Sequence, residues 1–117
     1  MIKILEKSDE NMSKVDLYRL TQSPELQMLK KVDDGTQIVV TKWCEFEDTK
    51  VVDGKEEATT LLSIMDENGV AYTAQSATFR ASFFDIVDIM DGEQFTIKKI
   101  SGLTKAERPY INCVLVG

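Results

Sequence analysis

The chain has 117 residues, a formal net charge of −6 at pH 7, two cysteines and no histidine. Its length suits a single domain, and its apolar runs are too short to span a membrane. The missing histidine removes the commonest general base and the usual zinc ligand sets. Because glycine-rich nucleotide-binding loops are also absent, we expect a protein that is not an enzyme. The start of the chain is too charged for a signal peptide, so we expect a cytoplasmic protein.

The N-terminal part of the sequence is read as a leader followed by a short helix. Residues 1–11 are rich in charged side chains and are predicted to be a flexible leader, and residues 12–117 are predicted to form the single domain. In "TQSPELQMLKKVDDG", Ser23 is a good N-cap and Pro24 suits the first helical position. We therefore predict a short helix at residues 24–31.

The next segment, "TQIVVTKWCEFED", alternates with a period of two and is rich in β-branched and aromatic residues, so it predicts a strand. Cys44 lies on its apolar parity, and Cys113 lies in a similar run near the C-terminus. Both are interpreted as buried core residues. The polar stretch "EDTKVVDGKEEA" that follows is predicted to be a long loop or a loose hairpin connection.

A hairpin and a helix follow. Strand-like runs at 58–65 and 70–75 flank Asn68-Gly69, which supplies the positive φ angles of a tight turn. Ser76 can cap a helix that ends at Asp91-Gly92. Its apolar residues recur at helical spacing and form one stripe, namely Phe79, Phe83, Ile86, Val87 and Met90.

Two more strand-like runs, "EQFTIKKIS" and "RPYINCVLV", close the chain, joined by the loop "GLTKAE". The order is three strands, a helix and two strands. This is the arrangement of the OB fold, a small Greek-key barrel whose helix plugs one end. We therefore predict a mainly β protein: a five-stranded OB-fold barrel with a helix between strands 3 and 4 and a short N-terminal helix.

Charge is distributed unevenly along this acidic chain. Residues 94–117 carry four basic groups and one acidic group, whereas residues 58–93 carry one basic and six acidic groups. OB barrels commonly bind single strands on strands 2 and 3 and on the loops joining strands 1–2 and 4–5. A local excess of positive charge can attract phosphates even when the net charge is negative.

The candidate site residues are of two kinds, since single-stranded nucleic acid is held by aromatic faces and by basic groups. Lys98, Lys99, Lys105 and Arg108 are candidates for phosphates, with only one of the two adjacent lysines able to face a given groove. The alternative is a solvated surface. Trp43, Tyr72 and Tyr110 are candidates for stacking; the alternative for Trp43 is a bend in its strand that turns it into the core.

Two pieces of the sequence carry a resemblance to a known family. "QSATF" enters the predicted helix, and "TKAERPYI" enters the last strand like an SK-x-GR-x-Y-I pattern, with Lys105, Arg108, Tyr110 and Ile111 matching and Glu107 in place of glycine. Over residues 12–116 the chain resembles small single-stranded DNA-binding proteins of bacteriophages and mobile elements of Gram-positive bacteria.

This resemblance implies an OB-fold protein that coats single-stranded DNA in phage or mobile-element replication and recombination, inside the host cytoplasm. It implies sequence-tolerant binding, no cofactor and no catalysis. A replication or recombination protein and further copies of the chain are the additional partners considered. Two alternatives stay open: a protein–protein module, such as an acidic inhibitor of a host nuclease or defence protein, and a small carboxylate–metal enzyme.

Overall fold

The computed structural model describes all residues from Met1 to Gly117. The chain contains eight strands, two α-helices and one 3₁₀ turn. In chain order these are β1 (Ile2–Lys7), α1 (Lys14–Thr21), β2 (Gln27–Met28), the 3₁₀ turn Leu29–Lys31, β3 (Gln37–Val40), β4 (Lys42–Val52), β5 (Lys55–Met65), β6 (Ala71–Ala74), α2 (Ala77–Met90), β7 (Phe95–Leu103) and β8 (Pro109–Val116).

The strands form two sheets rather than one closed barrel. The larger sheet has the order β1-β4-β5-β6-β2 and the smaller one the order β3-β7-β8. All pairs are antiparallel except β2 with β6. The chain passes from the smaller to the larger sheet through β3 and β4, which are separated only by Thr41. The N–H and the hydroxyl of Thr41 both donate to the carbonyl of Met65. The mainly β prediction is confirmed, but the sheets do not close.

Helix α2 packs into the main core as its sequence predicts. The Ser76 hydroxyl accepts the N–H of Phe79 and caps the helix, and Asp91 ends it with a positive φ of 46°. Phe79, Phe83 and Ile86 are buried on one stripe, against residues of both sheets. Because its buried stripe contacts both sheets, α2 covers the space between them.

A second apolar cluster lies on the other face of the larger sheet, beneath α1. Leu20 of α1 packs there with Cys44, Phe46 and Met65. Both cysteines are free and buried, as predicted, and burial raises the pKa of each thiol to about 12. The larger sheet is therefore covered on both faces near its centre.

The structure corrects the N-terminal predictions. Residues Ile2–Lys7 form β1, paired with β4, where a flexible leader was expected. The helix lies at Lys14–Thr21 and not at 24–31, because Ser13 caps it by accepting the N–H of Asp16. Ser23 caps only a turn, and Gln27–Met28 then pairs with the edge of β6. An edge strand in need of a partner outweighs a local helical preference.

The two central hairpins differ in how well the sequence predicted them. The hairpin with its turn at Asp66–Val70 forms as predicted, but of the Asn68-Gly69 pair only Gly69 has a positive φ, 80°. The stretch expected to be a loop is instead an extension of β4 and β5, paired as far as Val52 with Lys55 across a turn at Asp53-Gly54. Residues 47–58 form a ribbon that has only two strands beyond Asp48, where the pairing with β1 ends, and its tip is exposed. We refer to this ribbon as the acidic arm, since it carries five acids and two lysines.

Candidate nucleic-acid interface

A cleft of about 680 Å³ opens where the end of β6 approaches the start of β8. At this point the Ser76 hydroxyl donates to the carbonyl of Ile111, at 3.4 Å, and connects the two sheets. The cleft is lined from four directions: the segment after β2, the strand β5, the end of β6, and the β7–β8 hairpin. Its lining residues are Met28, Lys30, Lys31, Leu61, Thr73, Ala74, Gln75, Ser76, Ser101, Pro109, Tyr110 and Ile111.

Tyr110 places an aromatic ring at this cleft. It lies opposite Gly102 in the β7–β8 ladder, and a Cβ at Gly102 would come within 2.5–2.9 Å of three Tyr110 side-chain atoms. The ring therefore lies directly over the Gly102 backbone, in space that only glycine leaves open. Since 37% of Tyr110 is exposed, the ring is held in place and still accessible, as a stacking platform for a base requires.

Lys30 and Lys31 provide positive charge on the opposite wall. Both belong to the 3₁₀ turn after β2 and are exposed, and neither forms an ion pair. Leu29, fully buried between them and β2, fixes the turn to the core. Neither lysine is among the site residues predicted from the sequence, because the predicted helix at 24–31 places both at its C-terminal end. The feature of the sequence that could have identified them is the pair of adjacent lysines directly after Leu29.

The β7–β8 loop continues the basic surface at the rim. Lys105 and Arg108 are exposed and free of ion pairs, and Arg108 immediately precedes the lining residue Pro109. The loop is closed by two hydrogen bonds, from the N–H of Glu107 to the Thr104 carbonyl (2.8 Å) and from the N–H of Thr104 to the Arg108 carbonyl (2.9 Å). Glu107 adopts a φ of 59°, a left-handed conformation that glycine would adopt without strain.

Lys98 and Lys99 point to opposite faces, as their adjacency requires, but neither lines the cleft. Lys99 is 3% exposed, and its ammonium donates to the Val32 carbonyl, to Asp34 and to Ser101. All three of its N–H groups are thus occupied, which corrects its assignment as a phosphate ligand. Lys98 is half-buried on the outer face and has no ion pair.

Trp43 is not a surface platform, and this corrects its proposed stacking role. It is 9% exposed and packs edge-on against Phe83 and Phe84, with ring centroids 5.9 and 5.3 Å apart. The break at Thr41 is the physical reason. Val40 and Trp43 both face the main core, and the alternation then resumes so that Cys44 faces α1.

Tyr72 lies apart from the cleft. It is half-buried at the edge of the main core and borders a separate hollow, which it shares with Lys31. Burial is the main cause that raises the pKa of the Tyr72 hydroxyl, and the nearby Asp66 carboxylate raises it further. Of the aromatic candidates, only Tyr110 therefore lies on the cleft.

Two further observations concern other classes of function. No three His, Cys, Asp or Glu side chains lie close enough together to hold a metal ion. Neither α1 nor α2 is long and hydrophobic enough to cross a bilayer.

Comparison with known proteins gives one match. The model of a family described as "Phage Single-stranded DNA-binding protein" matches residues 3–115, which is almost the whole chain and includes every element from α1 to β7. The comparisons with curated proteins and with solved structures returned no match.

Proposed function

The chain belongs to the phage single-stranded DNA-binding protein family, and we propose that it binds single-stranded DNA, with little sequence specificity, along the cleft between β6 and β8. The observation that carries this proposal is one aromatic platform between two sets of unpaired cations. Tyr110 lies on the cleft, Lys30 and Lys31 form one wall, and the β7–β8 loop adds its two cations at the rim.

In the proposed mechanism the cations neutralise successive phosphates, while the Tyr110 ring stacks on one base. Every base presents a π face, so stacking tolerates any sequence. No lining residue of the cleft is acidic. The arm and α2 together carry seven acidic groups, which repel the strand and favour the basic side.

We also propose that the fold is an opened OB barrel. In an OB barrel the first strand pairs with the second and with the fourth. Here β4 pairs with β5 and β3 pairs with β7, so β3 and β4 together correspond to the first barrel strand. Closure would require β6 to pair with β8. The edge of β6 is instead occupied by β2, and the cleft lies at the seam that remains.

The biological role we propose is protection of single strands during phage or mobile-element replication and recombination, in the cytoplasm of the bacterial host. Binding of this kind needs neither catalysis nor a cofactor. A replication or recombination protein and further copies of the chain are the partners that such a role would bring to the same DNA.

An anisotropy titration with a fluorescein-labelled oligo-dT tests the function. A labelled oligonucleotide is preferable to protein fluorescence, since the single tryptophan is buried in the core. We expect binding at micromolar protein or tighter, with log K falling by about 0.7 for each neutralised phosphate per log unit of salt. A duplex of the same length is the control and should bind more weakly.

The variant Lys30→Ala/Lys31→Ala should weaken binding and reduce the salt slope by about 1.4, the value for two lost phosphate contacts on a single strand. No binding by the unmodified protein, or binding without salt dependence, would overturn the proposal. If the unmodified protein does not bind DNA but captures a basic protein, the result would favour the alternative of an acidic inhibitor.

A further inference from the structure

Lys99 is the most completely bonded charged side chain in the molecule, yet the proposed binding mechanism does not use it. Its Nζ lies 2.7 Å from the Val32 carbonyl oxygen, 2.7 Å from Asp34 Oδ1 and 3.1 Å from Ser101 Oγ. The Ser101 hydroxyl in turn donates to the same carboxylate oxygen, at 2.6 Å. Four groups from two distant parts of the chain therefore form one closed network.

The backbone strengthens this connection. The N–H of Gly35 donates to the Lys99 carbonyl at 2.8 Å, and the N–H of Lys99 donates to the Thr36 carbonyl at 2.9 Å. The segment 32–36 is thus wrapped around one residue of β7. We call the network of the Val32 carbonyl with the side chains of Asp34, Lys99 and Ser101 the Lys99 latch.

The latch connects the two walls of the cleft. Val32 directly follows the 3₁₀ turn that carries Lys30 and Lys31, and Ser101 itself lines the cleft on the β7 side. A buried lysine whose three N–H groups are all satisfied is costly to rearrange. The latch therefore fixes the distance between the cationic wall and the β7–β8 hairpin that carries Tyr110.

We propose that Lys99 and Asp34 are positioning residues for single-stranded DNA, which hold Lys30 and Lys31 at the spacing that the cleft needs without contacting the DNA. This inference rests on the proposed function and adds to it. Without the latch, Lys30 and Lys31 would still attract phosphates. They would no longer be held at the distance from Tyr110 at which one DNA strand can contact the lysines and stack on the ring.

The sign of one substitution separates positioning from simple electrostatics. Asp34 is an exposed carboxylate near the cleft, so its removal should tighten DNA binding if only charge matters. If Asp34 holds the latch, its removal should weaken binding. Asp33 provides the matched control, since its side chain is also exposed and carries the same charge, but it forms no part of the latch.

The experiment compares oligo-dT affinity by anisotropy for the unmodified protein, Asp34→Ala and Asp33→Ala. We expect Asp34→Ala to weaken binding about threefold to tenfold and Asp33→Ala to leave it unchanged or slightly tighter. Asp34→Asn, which keeps an acceptor oxygen for Lys99, should bind at least as tightly as Asp34→Ala. In the Lys30→Ala/Lys31→Ala background the effect of Asp34→Ala should largely disappear, because the side chains that the latch positions are gone.

The possible outcomes distinguish the latch from the function on which it rests. Binding by the unmodified protein, together with equal or tighter binding by Asp34→Ala, overturns the latch and leaves the proposed function intact. An undiminished effect of Asp34→Ala in the double-alanine background also overturns it. Absence of binding by the unmodified protein overturns both proposals. A thermal unfolding scan of each variant confirms that the compared proteins are folded.

Discussion

The two long hairpins of the molecule are built alike and carry opposite charge. Both end in a turn that contains a non-glycine residue with positive φ, Asp53 in the β4–β5 hairpin and Glu107 in the β7–β8 hairpin. The acidic arm at the end of β4–β5 carries five acids against two lysines, whereas the loop of β7–β8 carries two cations against one acid. The second hairpin lines the cleft close to its turn, with Pro109 and Tyr110, whereas the first reaches the cleft only through Leu61, well before its turn.

This difference indicates how an acidic protein can bind an acidic polymer. Local potential near the contact decides attraction, because exposed charges more than about 8 Å away are largely screened at physiological ionic strength. A favourable basic surface therefore needs only a few cations close to the strand. The acidic arm can then contribute −3 of the chain's net charge of −6 without preventing binding at the other hairpin.

The largest expected effect concerns the aromatic platform of the basic hairpin. Tyr110→Ala should weaken oligo-dT binding about 5- to 150-fold, the range for losing one stacked base, or about 1–3 kcal/mol. Tyr110→Phe keeps the ring and should bind almost as well as the unmodified protein. Equal losses in both variants would show that the hydroxyl, rather than the ring face, makes the contact.

The cations of the same hairpin come next. Lys105→Gln/Arg108→Gln should weaken binding about tenfold at low salt and reduce the salt slope by about 1.4. Anisotropy titrations at several salt concentrations measure both quantities. An unchanged slope would mean that these side chains neutralise no phosphate and that the loop is a solvated turn.

Glu107 allows a smaller change in the opposite direction. Glu107→Gly removes the only acid of the loop and a left-handed conformation that costs a non-glycine residue about 1–2 kcal/mol. The flexibility of glycine in the unfolded chain offsets part of this gain. We expect binding about twofold to threefold tighter and a slightly higher Tm. Glu107→Gln should reproduce the gain in affinity without the gain in Tm; a gain in Tm from the glutamine variant would contradict the strain argument.

The acidic arm should show the smallest effect. Glu56→Gln/Glu57→Gln removes two exposed negative charges, whereas Lys105→Gln/Arg108→Gln removes two exposed positive ones. At about 0.15 M salt we expect less than a twofold change in oligo-dT affinity, because these charges are distant and screened. A gain as large as the loss in Lys105→Gln/Arg108→Gln would show that the DNA passes the arm as well.

Short sequence patterns were sufficient to predict the elements that are stabilised by contacts between near neighbours in the chain. The Ser76 cap with its apolar stripe predicted α2, and Asn68-Gly69 predicted the hairpin turn, because these features act within one or two turns of chain. Local sequence does not decide where the N-terminal helix begins. Ser13 and Ser23 are both good N-caps, and the choice depended on packing against the larger sheet and on the demand of β6 for an edge partner.

The remaining features depend on contacts between distant residues. The role of Lys99 could not be read from its neighbours in sequence, since its carboxylate partner lies 65 residues away. Trp43 was misjudged because the break at Thr41 reverses the alternation, and that break is fixed by a bond to Met65. The basic character of the last hairpin and the place of Tyr110 were visible in sequence; the second wall, with Lys30 and Lys31, required the fold.

The central claim is that single-stranded DNA lies along the basic hairpin and not along the arm. Photocrosslinking with an oligo-dT that contains 5-iodouracil, followed by mass spectrometry of the labelled peptides, tests it most directly. We expect the crosslink at Tyr110 and its abolition in Tyr110→Ala, with no label in residues 47–58. Crosslinks concentrated in the arm, and none in the segment 101–111, would contradict the account.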